Sequence, residues 1–212
     1  MSDITTLNMI YLLIILIVSY FIGNINPSII LSKKMMNIDI RDHHSKNAGA
    51  SNTLMTLGFK SALVVGLVDI FKGYIVVLIV KTIYPEFDAI FILAGLFVIL
   101  GHIYPVFFGF RGGKGTATFF GLMLAVNPLF GGLLIIIFAV VLFIFKYVTI
   151  STFTVVILAP MYLYVMNYDI FSVIFMSLFA LLSIFKHRSN IQHMIAGKET
   201  SVYDVIKKNK GN

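Results

Sequence analysis

The stretch Leu129-Phe130-Gly131-Gly132-Leu133-Leu134-Ile135-Ile136-Ile137-Phe138-Ala139-Val140-Val141-Leu142-Phe143-Ile144-Phe145 decides the fold. It carries no charge, and only Asn127-Pro128 before it and Lys146 after it bound it. About 20 mostly apolar residues, each rising about 1.5 Å, carry a helix across the hydrocarbon core of a bilayer. Comparable runs lie at Leu7–Ile22, Ala62–Val80, Ala89–Leu100, Thr152–Met166 and Ile170–Phe185. The composition agrees: 59% of the 212 residues are hydrophobic and 12% are charged. A soluble domain carries about 25% charged residues, so here lipid has to be the solvent for much of the surface.

Dividing the apolar stretches at their polar breaks predicts an all-α integral membrane protein. Seven spans are expected, at 5–25, 61–82, 87–104, 115–127, 129–146, 152–167 and 169–186. The fourth is short: it is expected to tilt, to borrow residues from Arg111–Lys114, or to be a re-entrant segment. Asp3 is the only charge before the first span. With no positive leader region and no small-residue cleavage site, that span is expected to be retained. Residues 1–200 read as one polytopic domain and 201–212 as a basic cytoplasmic tail.

Orientation follows from the basic residues. With the N-terminus outside and seven crossings, Lys33, Lys34, Arg41, Lys46, Lys60, Arg111, Lys114, Lys146, Lys186, Arg188, Lys198, Lys207, Lys208 and Lys210 fall inside. Lys72 lies in the inner half of the second span, and Lys81 alone is left outside. This is the cytoplasmic bias of membrane proteins, so the net charge of +7 needs no nucleic acid to explain it. Cysteine is absent, which excludes disulfides, thiolate catalysis and Cys-ligated metal.

Three segments on the inner face hold more than solubilising charge. Gly23-Asn24-Ile25-Asn26-Pro27-Ser28 ends the first span, and the following loop contains Ser45-Lys46-Asn47-Ala48-Gly49-Ala50-Ser51-Asn52. Such small residues, hydroxyls and amides suit an anion, and they suit an ordinary helix-capping turn equally well. Gly101-His102-Ile103-Tyr104-Pro105 continues to Gly109-Phe110-Arg111-Gly112-Gly113-Lys114-Gly115-Thr116. There glycines let backbone N–H groups approach a phosphate while Lys114 and Arg111 supply charge. This is no Walker A loop, because Gly115 follows the lysine. The third segment is His187-Arg188-Ser189-Asn190-Ile191 with Gly197-Lys198-Glu199. Asp69 and Lys72 sit three apart in the second span, where a structural ion pair is the default reading. No cluster of carboxylates suggests a metal, no G-x-S-x-G is present, and no histidine is followed four residues later by aspartate. Phosphate handling at the cytoplasmic interface is the natural expectation.

From Gly23 to Glu199 the chain resembles the PlsY family of bacterial acyl-phosphate-dependent glycerol-3-phosphate acyltransferases. The family's approximate S-G-N-x-G-A-T-N is matched by Ser45 to Asn52, and its D-x-x-K-G by Asp69-Ile70-Phe71-Lys72-Gly73. Its G-H-x-x-P-x-F-x-x-F-K-G-G-K-G is matched by Gly101 to Gly115, with Arg111 in place of Lys. Its H-R-x-N-I and G-x-E are matched by His187 to Ile191, Gly197 and Glu199. The resemblance implies a multi-pass enzyme of the bacterial plasma membrane with its active site facing the cytoplasm. It would move an acyl group from acyl-phosphate to the 1-hydroxyl of glycerol-3-phosphate, giving lysophosphatidate and phosphate for phospholipid synthesis. By the same resemblance Ser45, Asn190, His187 and Thr152 are the expected catalytic residues, Thr152 standing where the family has Ser. Lys46, Asn47, Ser51, Asn52, Arg111, Gly112, Gly113, Lys114 and Gly115 are expected to bind substrate phosphate. His102, Asp69, Lys72 and Glu199 are expected to support the site. No cofactor, metal or protein acyl intermediate is implied. The implied partners are the two substrates, membrane lipid and the acyl-phosphate-forming enzyme of the same pathway.

One departure stands out. Three residues after Asn52 the family carries an Arg expected to clamp a phosphate, and this chain has Met55. Lys46, in place of a family Gly, is a candidate to restore that charge. A paralogue with an altered acceptor, or an inactive one, remains an alternative, as does a small organophosphate transporter. The transporter reading calls for polar or broken helices at mid-membrane. A scaffold acting through the basic tail leaves the glycine-rich loop unexplained. Lys46→Gly should raise the Michaelis constant for glycerol-3-phosphate, and an unchanged constant would remove Lys46 from the site.

Overall fold

The computed structural model describes residues 2–201, with side chains from residue 9 onward; the tail beyond Ser201 lies outside the described residues. Ten α-helices and no strands occur among them: α1 Ser2–Gly23, α2 Pro27–Met36, α3 Ala50–Leu57, α4 Phe59–Ile83, α5 Asp88–Ile103, α6 Thr116–Val126, α7 Pro128–Phe145, α8 Val148–Val165, α9 Ile170–Lys186 and α10 Arg188–Ile195. The protein is an all-helical membrane protein. Its outward faces carry large apolar side chains such as Leu129, Phe143, Ile144, Tyr164 and Leu181, as a lipid-facing surface requires.

Helix starts follow local chemistry. Asn26 precedes Pro27 and accepts from the N–H of Ile29 at 3.2 Å, and Asn127 precedes Pro128 and accepts from Phe130 at 3.0 Å. Pro at the first helical position loses nothing, because its missing N–H would have had no helical partner. Asp169 caps α9 in the same way, accepting from Phe171 at 2.8 Å.

The spans match the expected ones except at three places. The first, expected to end at residue 25, is α1 ending at Gly23, but after the break at Asn24–Asn26 α2 extends the apolar segment to Met36. The sixth begins four residues early, which puts Thr152 inside α8. The loop expected between Asp39 and Gly58 contains α3, whose Ser, Asn and Thr residues obscure helical periodicity. Among the described residues, five helical segments are long and apolar enough to cross a bilayer, or six if α9 and α10 form one span bent by 50°.

The expected fourth span is α6, with 11 residues. That is about 16 Å of helix, roughly half the hydrocarbon thickness. It lies directly on α4. A Cβ on Gly73 would stand 2.3 Å from the carbonyl oxygen of Thr118, and one on Gly121 would stand 1.9 Å from that of Ile70. Small residues allow this backbone contact where apolar lipid gives helices little reason to associate. At the far end, Lys81 donates to the carbonyls of Ala125 and Val126 at 3.2 and 2.7 Å. The α5–α6 loop and α6 together thus carry the chain from the level of Gly73 to the end of α4.

At the level where α6 begins, a charge cluster closes the α1–α2 break. Lys72 bonds the carbonyls of Gly23 and Ile25 at 3.1 and 2.8 Å and pairs with Asp69 at 2.7 Å. The Nδ1 of His102 lies 2.9 Å from Lys72 and 3.2 Å from Asp69. An ammonium has three N–H bonds and four acceptors surround it. Lys72 serves the two carbonyls, and Asp69 Oδ1 and His102 Nδ1 both face its remaining N–H. All three side chains are buried. Lys72→Met would leave Asp69 without its cation and two carbonyls without a donor. We expect a loss of about 3–5 kcal/mol, seen as early thermal unfolding in detergent. Adding Asp69→Leu should recover most of it; a single variant that melts with the native protein would contradict this.

Candidate active site

The glycine-rich loop leaves α5 at Tyr104, makes a 3₁₀ turn over Val106–Phe108, and passes through two left-handed residues, Gly109 and Phe110. It then folds back onto the end of α5. The N–H of Gly112 donates to the carbonyl of Ile103, and that of Gly113 to the carbonyl of His102, both at 3.1 Å. A Cβ on Gly113 would stand 2.0 Å from His102 Nε2 and 2.7 Å from the Ala48 carbonyl oxygen, so only glycine fits between these groups. The Gly112 and Gly113 amides, expected to hold phosphate, are thus engaged with the end of α5 in this structure. Those amides satisfy carbonyls left open at the end of α5.

The open donors lie just beyond. Gly115, at φ +86°, starts α6 without a side-chain cap, and the first intrahelical bond runs from Phe119 N–H to the Gly115 carbonyl at 2.8 Å. The N–H groups of Thr116, Ala117 and Thr118 precede that bond and lack α-helical partners, at the end where the helix dipole favours an anion. Several polar side chains lie around this end. Lys114 donates to Asn190 Oδ1, and Asn190 Nδ2 donates to Glu199 Oε1 at 2.6 Å. These two bonds fix which way the amide faces. Burial lowers the Lys114 ammonium to about 8, opposed by Glu199 and reinforced by Lys186. Thr152 is buried with its hydroxyl 3.5 Å from that of Thr116. His187 is buried, its Nδ1–H donating to the Ser183 carbonyl at 2.8 Å and its ring edge-on to Phe153. In the neutral ring this leaves Nε2 as an acceptor.

The first loop meets the second through Ala48, which packs with Ile29, Ile40 and Phe108 in a small apolar cluster. Asn52 departs from its expected role as a phosphate ligand. Its Nδ2 donates to the carbonyls of Ile40 and His43 at 2.8 and 3.1 Å, and its Oδ1 accepts from the N–H of Ser45 at 3.2 Å. With both amide hydrogens used, it shapes the loop. Ser45, Lys46 and Ser51 are exposed and Asn47 is half-buried. No hydrogen bond among the described residues joins these four side chains to Lys114 or Asn190. Lys46 and His44 both have positive φ, where an L-residue is strained. Met55 is half-buried. Arg111 is exposed, and its carbonyl, not its guanidinium, is the part held. His102 lies beneath Gly113 with Asp69 and Lys72 against its other edge, and Glu199 accepts from Asn190.

Two residues escaped sequence reasoning. Thr116 was visible as a hydroxyl in the first turn of α6, and its importance comes only from facing Thr152. Arg41 reaches the carbonyls of Phe108 and Arg111; the spacing Asp39-x-Arg41 was its only local signal.

The chain matches the family model described as glycerol-3-phosphate acyltransferase over residues 13–197. It is 41% identical over 197 residues to a glycerol-3-phosphate acyltransferase of Finegoldia magna, covering 92% of this chain and 98% of that one. It is 36% identical to the protein of the same name from Staphylococcus aureus, over 90% and 98% of the two chains. Among solved structures it resembles crystal structures of PlsY, an integral membrane glycerol 3-phosphate acyltransferase. The match to the glycerol 3-phosphate form has a TM-score of 0.85 and 32% identity, covering 90% of this chain and 95% of that one. The lysophosphatidic acid form gives 0.80 at the same identity, over 92% and 98%. This chain belongs to the glycerol-3-phosphate acyltransferase family, as a multi-pass membrane acyltransferase of the PlsY type.

Proposed function

We propose that the protein transfers an acyl group from acyl-phosphate to the 1-hydroxyl of glycerol-3-phosphate, at the cytoplasmic face of a bacterial plasma membrane. The hydroxyl oxygen attacks the acyl carbonyl carbon, the carbonyl–phosphate bond breaks, and the hydroxyl proton leaves on the released phosphate. The products are lysophosphatidate and inorganic phosphate. The observation that carries this reading is the convergence of Lys114, Asn190 and Thr152 on the uncapped start of α6. It suits a phosphate whose negative charge must be held while the bond to carbon breaks. Thr152 pairs with Thr116 rather than with a base. This favours direct transfer between substrates, with positioning supplying much of the rate.

In this reading Lys114, the α6 amides, Thr116 and Thr152 hold phosphate. Asn190 orients Lys114, and the neutral His187 offers Nε2 to a substrate hydroxyl. Ser45, Lys46, Asn47 and Ser51 line the approach from the first loop and reach substrate only when it is bound. The N-terminus lies outside and the C-terminus inside, as the distribution of basic residues requires. Within phospholipid synthesis, the enzyme that makes acyl-phosphate would be the functional partner.

Purified protein with labelled glycerol-3-phosphate should give labelled lysophosphatidate from acyl-phosphate and none from acyl-CoA. Folded protein that uses only acyl-CoA, or no donor, would reject the reading. The pH profile is a second check. Lys114 in the free protein titrates near 8, so its charge is present below that pH and lost above it. kcat/KM should fall about tenfold per pH unit above about 8. In Lys114→Arg, whose residual activity keeps its charge, the fall should vanish. A native profile that stays flat from about pH 7 to about pH 10 would contradict the assignment.

A further inference from the structure

Arg41 lies outside the group of residues just assigned, yet all three nitrogens of its guanidinium donate hydrogen bonds. Nε and Nη2 grip both oxygens of Asp39 at 2.9, 3.2 and 2.6 Å, and Asp39 also accepts the N–H of Arg41 at 3.0 Å. With one edge of the fork fixed, Nη1 points at the neighbouring loop and donates to the carbonyls of Phe108 at 2.5 Å and Arg111 at 2.9 Å. Those carbonyls flank Gly109 and Phe110, both in the left-handed region at φ +65° and +58°. For Phe110 that conformation is unfavourable, because its Cβ crowds the backbone. Phe110 is also exposed, so packing does little to hold it there. Phe108 is anchored on Ile29, Ile40 and Ala48. From Arg111 the chain runs straight into Gly112, Gly113 and Lys114.

We propose that Arg41, oriented by Asp39, is a positioning residue that clamps the Phe108–Arg111 turn and thereby sets where Lys114 and the start of α6 meet substrate phosphate. The proposal rests on the reading of Lys114 as a phosphate ligand. The Asp39–Arg41 pair is well formed: the guanidinium bond holds the Asp39 carboxyl down at about 2. The clamp is therefore charged at every pH at which the protein works. Lysine cannot replace this arginine, because a single ammonium cannot grip a carboxylate with two donors while also bridging two carbonyls.

The test compares Arg41→Ala, Phe110→Gly and the double variant in the full chain, each in detergent and shown to be monodisperse. Hydrogen exchange of the peptide covering residues 104–116 needs no activity. It should speed up in Arg41→Ala at Gly112 and Gly113, while α4, α7 and α8 exchange as in the native protein. In the acyl-phosphate assay the KM for substrate should rise about tenfold to a hundredfold with kcat within about threefold, the pattern of a displaced phosphate ligand. Phe110→Gly removes the left-handed strain that the clamp opposes. The double variant should therefore recover much of the loss in both measurements, and Phe110→Gly alone should differ little from the native protein. Unchanged exchange at residues 104–116 in Arg41→Ala would overturn the proposal. So would exchange raised throughout the helices, faster loop exchange with unaltered kinetics, or a double variant no better than Arg41→Ala. A native protein inactive with acyl-phosphate would instead count against the proposed reaction, leaving the exchange result to decide on the clamp.

Discussion

The ammonium of Lys72 is the tie on which the rest of the structure depends. A membrane protein cannot leave backbone carbonyls open at depth, because no water is there to bond them. The chain breaks between α1 and α2, and Lys72 takes up the carbonyls of Gly23 and Ile25 that the break exposes. Its own charge is balanced by Asp69 one turn earlier on α4, and Asp69 is shared with His102 near the end of α5. Three segments are thereby fixed at one level. The other edge of the His102 ring forms the floor on which Gly113 rests. A buried cluster that looks purely structural thus determines where the glycine-rich loop lies.

From that floor the site is assembled by hydrogen bonds with little choice. Gly112 and Gly113 return their amides to α5, so Gly115 must turn through positive φ, and α6 begins with open donors. Lys114, bonded to Asn190, which in turn donates to Glu199, stands beside them. Glycines here serve close packing of one backbone against another, and the amides left without helical partners at the start of α6 belong to Thr116, Ala117 and Thr118, which follow the glycines. The same logic explains the shortness of α6. It begins at the depth where the loop ends, and its glycine contact with α4 compensates for the missing length.

Much of this was legible in the residues. Long uncharged runs announce spans because a helix has no other way to satisfy its backbone in lipid, and all seven expected ranges lie within about four residues of a helix, the fourth being too short to cross alone. Asn26-Pro27 and Asn127-Pro128 mark helix starts by their capping chemistry. The family motifs named Lys114 and Asn190, which the fold joins by a hydrogen bond. What could not be read is the direction in which each polar group points. Asn52 looks like a phosphate ligand in the string and is in fact the peg of its own loop. Gly112 and Gly113 look like phosphate donors until their acceptors are known. Arg41 looks like one more cytoplasmic charge, and only the fold brings it to carbonyls some seventy residues away. Lys46 sits in a left-handed, exposed position, which neither spacing nor composition could indicate.

The central claim is that substrate phosphate sits on the start of α6 beside Lys114, and not on the glycine pair. The most direct measurement is solid-state magnetic resonance of the protein in lipid, with nitrogen-15 in the backbone and in Lys114 Nζ, and with glycerol-3-phosphate bound. Dephasing by phosphorus-31 should reach the amides of Thr116 and Ala117 and the Lys114 ammonium, and should leave Gly112 and Gly113 unaffected. Dephasing at Gly112 and Gly113, with none at Thr116, Ala117 or Lys114, would contradict the account.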